Sequence, residues 1–132
     1  MAIATRAKQL GFEMPNKVGL VAEISSALSA AKINLISLFG IETGDMAIFM
    51  LITSDNAAAK KILKKMGADI GFTDVVTIEM PNKPGEFKKV AAIIAEAGID
   101  IITVFGTAGS AKSSMVVIKT SDDKKVLKLI NK

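Results

Sequence analysis

Two segments of the chain have the residue types and spacing to do chemistry: Pro15-Asn16-Lys17-Val18-Gly19 and Pro81-Asn82-Lys83-Pro84-Gly85. In each, a strand-like alternation ends at the first proline and a helical pattern begins after the glycine. Such a turn aims unpaired backbone N–H groups and the positive end of a helix dipole at one spot, which suits a carboxylate or another small anion. The side-chain amides of Asn16 and Asn82 can donate or accept, and Gly19 and Gly85 let a ligand approach the backbone. The same residues also make a tight strand-to-helix turn for geometry alone, so the loops by themselves leave both readings open.

The remaining composition removes most other chemistry. The 132 residues include no His, Cys, Trp or Tyr. Without an imidazole base or a thiolate, structural zinc, iron–sulfur clusters and most catalytic triads are out, and no cofactor is expected. The carboxylates are scattered, Asp122-Asp123 reads as a helix cap, and no acid/base pair is visible, so the chain is not expected to be an enzyme. Gly106 to Ser113 nearly spells a phosphate-binding loop, but Ala111 replaces the required glycine and a strand pattern follows in place of a helix, which makes it a hairpin loop.

The net charge of +4 comes from 17 Lys+Arg against 13 Asp+Glu, and neither half of the chain is strongly basic. Lys60, Lys61, Lys64 and Lys65, with Lys124, Lys125 and Lys128, read as solvated helix faces. Nucleic acid is not an expected partner, because the strands offer only Phe39, Phe49 and Phe105 for stacking bases. The first residues form no apolar signal core, and no stretch approaches the roughly 20 apolar residues of a membrane span. Absent cysteines fit a reducing compartment. A cytoplasmic protein with no membrane partner is the expectation.

The chain is a repeat. Displaced by 66 positions, Glu13 to Gly40 falls on Glu79 to Gly106, with 11 of 28 positions identical. Unrelated sequences of this composition would share about two, so the match is a duplication. Gln9 to Met14 and Val75 to Met80 read as strands. Helical stripes follow at Val21, Ile24, Leu28 and Ala31, and at Phe87, Val90, Ile94 and Ala97. Ile33 to Phe39 and Ile99 to Phe105 read as strands ending at a hairpin glycine, and third strands follow at Ala47 to Thr53 and Met115 to Thr120. Ser54-Asp55 and Asp122-Asp123 cap second helices. The first copy has room for a short fourth strand at Ile70 to Thr73, and the second does not.

The order βαββαβ gives an α+β fold: two ferredoxin-like repeats, antiparallel sheets with helices on one face, the second lacking its last strand. The expected domains are residues 1–74 and 75–132. The open edge of the second copy is to be filled by residues 2–6 or by a partner chain. The third strands are apolar on both alternating faces, so the face away from the helices, or the edge, should be covered, by the other copy or in a homodimer.

The run Asn16-Lys-Val-Gly-Leu20, helix, Lys32-Ile-Asn-Leu-Ile36 and hairpin resembles an ACT domain, a small regulatory module of amino-acid metabolism, and Asn82-Lys-Pro-Gly-Glu86 through Gly98-Ile-Asp-Ile-Ile102 resembles it again. The likeness covers about 120 residues and is closest to stand-alone tandem ACT proteins. It implies allosteric, non-catalytic regulation: binding of an amino acid or related carboxylate at an interface between ACT modules, signalled through assembly, expected to be a homodimer, or through a partner enzyme of amino-acid metabolism. The alternative is a docking subunit with no small ligand. On this resemblance the ligand-binding residues are Asn16, Lys17, Val18, Gly19, Leu20 and Asn34 in the first copy, and Asn82, Lys83, Pro84, Gly85, Glu86 and Asp100 in the second. Val18 and Lys32 stand where the family usually has proline and glycine, and Met14 and Met80 stand where its serine-binding pattern has a histidine. Apolar Met14, Met80 and Leu20 would suit a more hydrophobic amino acid if they are not simply core. Glu86 would discourage an anion in the second copy, which favours the first as the carboxylate binder.

Overall fold

The computed structural model describes residues 1–132. Its elements are β1 (Ile3–Pro15), α1 (Leu20–Ala30), β2 (Leu35–Thr43), β3 (Met46–Thr53), α2 (Asn56–Lys65), β4 (Asp69–Pro81), α3 (Glu86–Glu96), β5 (Ile101–Ala108), β6 (Ser113–Thr120) and α4 (Asp123–Ile130). They form two compact units, one of residues Lys8–Thr73 and one of Met1–Ala7 together with Asp74–Lys132. Each is an α+β unit of antiparallel strands and two helices, as the βαββαβ order predicts.

In the unit of Lys8–Thr73 the strands lie in the order β2-β3-β1-β4. The register Leu10↔Leu51, Phe12↔Phe49 and Met14↔Ala47 turns alternate residues of both strands to one side. There they pack with Leu20, Ile24 and Leu28 of α1 and with Ala59 and Leu63 of α2 as one core. The Phe12 and Phe49 rings stack with centroids 5.3 Å apart, a contact worth ~0.5–1.5 kcal/mol beyond its buried area. On the opposite face of β3, Ile48 and Met50 are half-buried and Ile52 is buried. The Asp55 side chain caps α2 by accepting from the Ala58 N–H. Lys32 ends the α1 turn at φ 61°, a left-handed conformation that its repeat partner Gly98 adopts at φ 70° without the cost of a Cβ.

In the other unit the order is β1-β4-β6-β5, with residues 3–7 as the contribution of β1. Ala4 is buried in a core with Ile78, Met80, Val90, Ile94, Ile118 and Val126. Asn131, just past α4, holds it: its Oδ1 accepts from the Ala4 N–H and its Nδ2 donates to the Ala4 carbonyl, both at 2.8 Å. The Thr77 hydroxyl donates to the Thr5 carbonyl at 3.4 Å. The N-terminal residues, not a partner chain, thus supply the strand that this copy lacks.

Several element boundaries differ from expectation. The strand expected from Gln9 begins at Ile3, and the segments expected at Ile70–Thr73 and Val75–Met80 are one strand, β4. β2 and β5 start two residues late and run past Gly40 and Gly106, because these glycines sit in register with Phe49 and Val116 and not in the turns. Val21 and Phe87 lie off the buried stripes, 50% and 39% exposed, and Leu20 takes the buried place in α1.

Candidate functional site

In the first copy β1 ends at Pro15, and the Asn16 N–H donates to the Asp45 carbonyl at 2.7 Å, which ties the loop to the β2–β3 hairpin. Gly19 is the N-cap of α1 at φ 88°, a conformation that favours glycine, and no side chain caps the helix. The Leu20 N–H reaches the Lys17 carbonyl and the Glu23 N–H reaches that of Gly19. Those of Val21 and Ala22 are left to donate elsewhere. Val18 is fully exposed and Leu20 is buried in the core. Lys17 pairs with Glu23 at 3.0 Å.

Beside this loop a cavity of about 430 Å³ opens between α1 and the end of the β2–β3 hairpin. Val21, Leu38, Ile41 and Phe49 give it apolar walls, Gly40 and Ala47 complete the lining, and Asn16 and Glu42 bring the side-chain polar groups. A Cβ on Gly40 would meet the Phe49 ring at 2.9 Å, so glycine is what lets the ring lie there. The Asn16 side-chain amide has no bonding partner within the chain. Of the cavity residues, sequence reasoning named Asn16 alone as a ligand contact. Glu42 carries no motif, and only its register with Ala47, on the Phe49 side of β3, brings it to the cavity.

Asn34 does not meet Asn16. It lies at the start of β2, where its N–H donates to Ser54 Oγ and its carbonyl accepts from the Ser54 N–H, both at 2.9 Å. The pairs Pro15↔Met46 and Leu35↔Thr53 place the two asparagines at opposite ends of β3, about 23 Å apart along the strand. Asn34 lines a separate hollow with Ser25, Ser29 and Lys32.

The second copy repeats the plan with different partners. Gly85 caps α3 at φ 88°. The Asn82 N–H donates to the Lys112 carbonyl at 3.0 Å, and its side-chain amide is committed to the Ser110 carbonyl at 3.2 Å. Lys83, Pro84 and Gly85 are exposed. Asp100 sits at the far end of the sheet, bonded through its backbone to Ser121 as Asn34 is to Ser54. Glu86 pairs with Lys89 at 2.9 Å. The hydrogen bond from Lys89 holds its carboxyl below the usual range against the opposing effect of burial, helped by the charges of Lys89, the N-terminus and Lys83.

Met14 and Met80 are buried in their cores. Phe49 is 4% exposed and stacks on Phe12, so only its edge reaches the cavity. The Lys60 ammonium lies 4.9 Å from the centre of the Phe72 ring. No group of three or more acidic side chains is placed to hold a metal ion. No helix is long and apolar enough to cross a membrane.

The model of the ACT domain pair family matches residues 5–132. No curated protein matches the chain. Among solved structures, the chain is similar to protein BT0572 from Bacteroides thetaiotaomicron, at 34% identity and a TM-score of 0.88 over 97% of this chain and 88% of that one. It has the fold of the regulatory subunit of aspartate kinase from Thermus thermophilus in its ligand-free form, at 16% identity and a TM-score of 0.71, covering 98% of this chain and 94% of that one. The corresponding subunit from Thermus flavus gives 16% identity and a TM-score of 0.67, covering 98% and 94%.

Proposed function

We propose that this chain, which belongs to the ACT domain pair family, is a non-catalytic regulator that binds an amino acid or related small carboxylate where two ACT modules meet. The observation that carries the reading is the uncommitted Asn16 amide beside an apolar cavity, next to the two free N–H groups that open α1. An α-carboxylate has two acceptor oxygens for these donors. The likeness to aspartate kinase regulatory subunits supports regulation as the role, with an enzyme of amino-acid metabolism as partner.

Asn16 and Asn34 belong to one site only if a second module takes part, because within one unit they stand at opposite ends of the sheet. β2 is an edge strand, with Ile36 51%, Leu38 46% and Ile41 50% exposed. A second chain whose β2 ran antiparallel alongside would bring its Asn34 to the end where Asn16 lies. The ligand then bridges two chains and stabilises their association by mass action.

The test is sedimentation velocity on the full chain with each of the twenty amino acids, repeated with Asn16→Ala. The expected result is one amino acid, or one related group, that shifts the chain toward a dimer, with the shift reduced at least tenfold in the variant. No change in association or melting with any of them would overturn the reading and leave a docking subunit whose loops are turns.

A further inference from the structure

The cavity beside Asn16 and the corresponding place in the second copy share a backbone plan and differ in chemistry. In the first copy Glu42 projects on the Phe49 side of the hairpin. One of its oxygens accepts from the Gly44 N–H at 3.1 Å, which steadies the side chain at the cavity, and no Lys or Arg pairs with it. Lys17, the cation of the neighbouring loop, is committed to Glu23. A carboxylate with no cation, at the mouth of a cavity lined by Leu38, Ile41 and Phe49, is suited to a ligand ammonium, because a charge-assisted hydrogen bond is stronger than a neutral one.

At the corresponding positions the second copy has Ala108 for Glu42, Phe87 for Val21 and Val116 for Phe49. No carboxylate stands there, a phenyl ring takes the place of an isopropyl group, and the Asn82 amide is committed to Ser110.

Resting on the reading of the chain as an amino-acid binder, we propose that the first copy alone holds the site and that its ligand is an amino acid with an apolar side chain. The ligand ammonium sits on Glu42, its carboxylate on the Asn16 amide, and its side chain against Leu38, Ile41 and Phe49. A cavity of about 430 Å³ is within the range of metabolite sites, in which apolar walls supply the affinity and a few polar groups the orientation. A lysine or aspartate side chain would bring a charge to walls that have no partner for it.

The experiment is calorimetry on the full chain with each of the twenty amino acids and with 4-methyl-2-oxopentanoate, the analogue of leucine without its amine. The expected result is binding of apolar amino acids at one site per chain, with the oxo acid at least tenfold weaker. Glu42→Gln should weaken leucine at least tenfold and leave the oxo acid within twofold. If the variant does not fold, the preference of the parent for leucine over its oxo acid decides the role of the amine. Serine or lysine binding in place of apolar amino acids, two equal sites, or leucine and oxo acid binding alike would overturn the proposal while the amino-acid sensor stood. No binding by any of the twenty amino acids would remove both.

Discussion

Asn56 and Asp123 occupy the same place in the two copies, at the start of the second helix, and do the same work with different chemistry. Asn56 Oδ1 accepts from the N–H and hydroxyl of Thr53 at 3.0 and 2.8 Å, and Asp123 Oδ1 accepts from those of Thr120 at 2.9 and 2.6 Å. Asp123 also takes an ion pair from Lys119 at 3.0 Å. Burial pushes its carboxyl up, but the hydrogen bonds from the Thr120 hydroxyl, Lys119 and the Thr120 N–H, with the Lys119 charge, outweigh burial and hold it below the ordinary 3.8. A carboxyl lowered on folding stabilises the fold above its unfolded value, and that stability is lost as pH falls through the folded value. The second copy should therefore lose stability below about pH 4, and Asp123→Asn, which reproduces the first copy, should flatten that part of the profile. Melting midpoints from pH 5 to pH 2 check this, and parallel profiles for parent and variant would count against it. Gly40 makes a second test at this scale. Its Cβ would meet the Phe49 ring, which is itself stacked on Phe12, so Gly40→Ala should cost about 1–3 kcal/mol as overpacking. Chemical denaturation measures that directly. Asn16 was legible in the sequence because its turn has a signature. Glu42 was not, because a strand residue next to a hairpin has no signature and strand register alone brings it to the cavity.

At the scale of elements, the first strand explains most of what sequence periodicity missed. Residues 3–7 break the apolar alternation with Thr5 and Arg6, yet they belong to the same strand as Lys8–Pro15. They are strand because the second copy has an unfilled edge and Asn131 is placed to pair both backbone groups of Ala4. That is a long-range cause, which a local pattern does not carry. Asn131→Leu should cost about 1–3 kcal/mol, the loss of two partners from a half-buried backbone. Deleting residues 1–6 should go further and raise amide exchange throughout β4, β6 and α4, while β2 and β3 keep their protection. Equal exchange in the truncated and parent chains would show that the edge strand does no stabilising. The helices were easier to read. Ile24, Leu28, Val90 and Ile94 are buried as their spacing predicts, and Asp55 and Asp122 are the caps.

At the scale of the molecule, duplication made the fold readable, since two copies of one βαββαβ order constrain each other where either alone would be ambiguous. The same comparison shows how the copies diverged. Asn16 and Asn82 are identical in type and in backbone bonding, but one amide is open and the other is committed to a hairpin loop. Identity of residue did not carry identity of side-chain bonding, because the hairpins opposite them differ in sequence and in length.

The Asn131–Ala4 pairing also sets an order of events during synthesis. The residues of the Lys8–Thr73 unit are contiguous, so all of them exist once Thr73 has been made. The other unit joins positions separated by 127 in sequence. At roughly 5–20 residues per second, the 58 residues from Asp74 to Asn131 take about 3–12 s to make. Over that interval β4 becomes available to Ile3 and Ala4 early, but the α4 end and Asn131, which cover and pair Ala4, come last. The growing chain thus carries an apolar strand segment whose exposure closes only when α4 and Asn131 have been made.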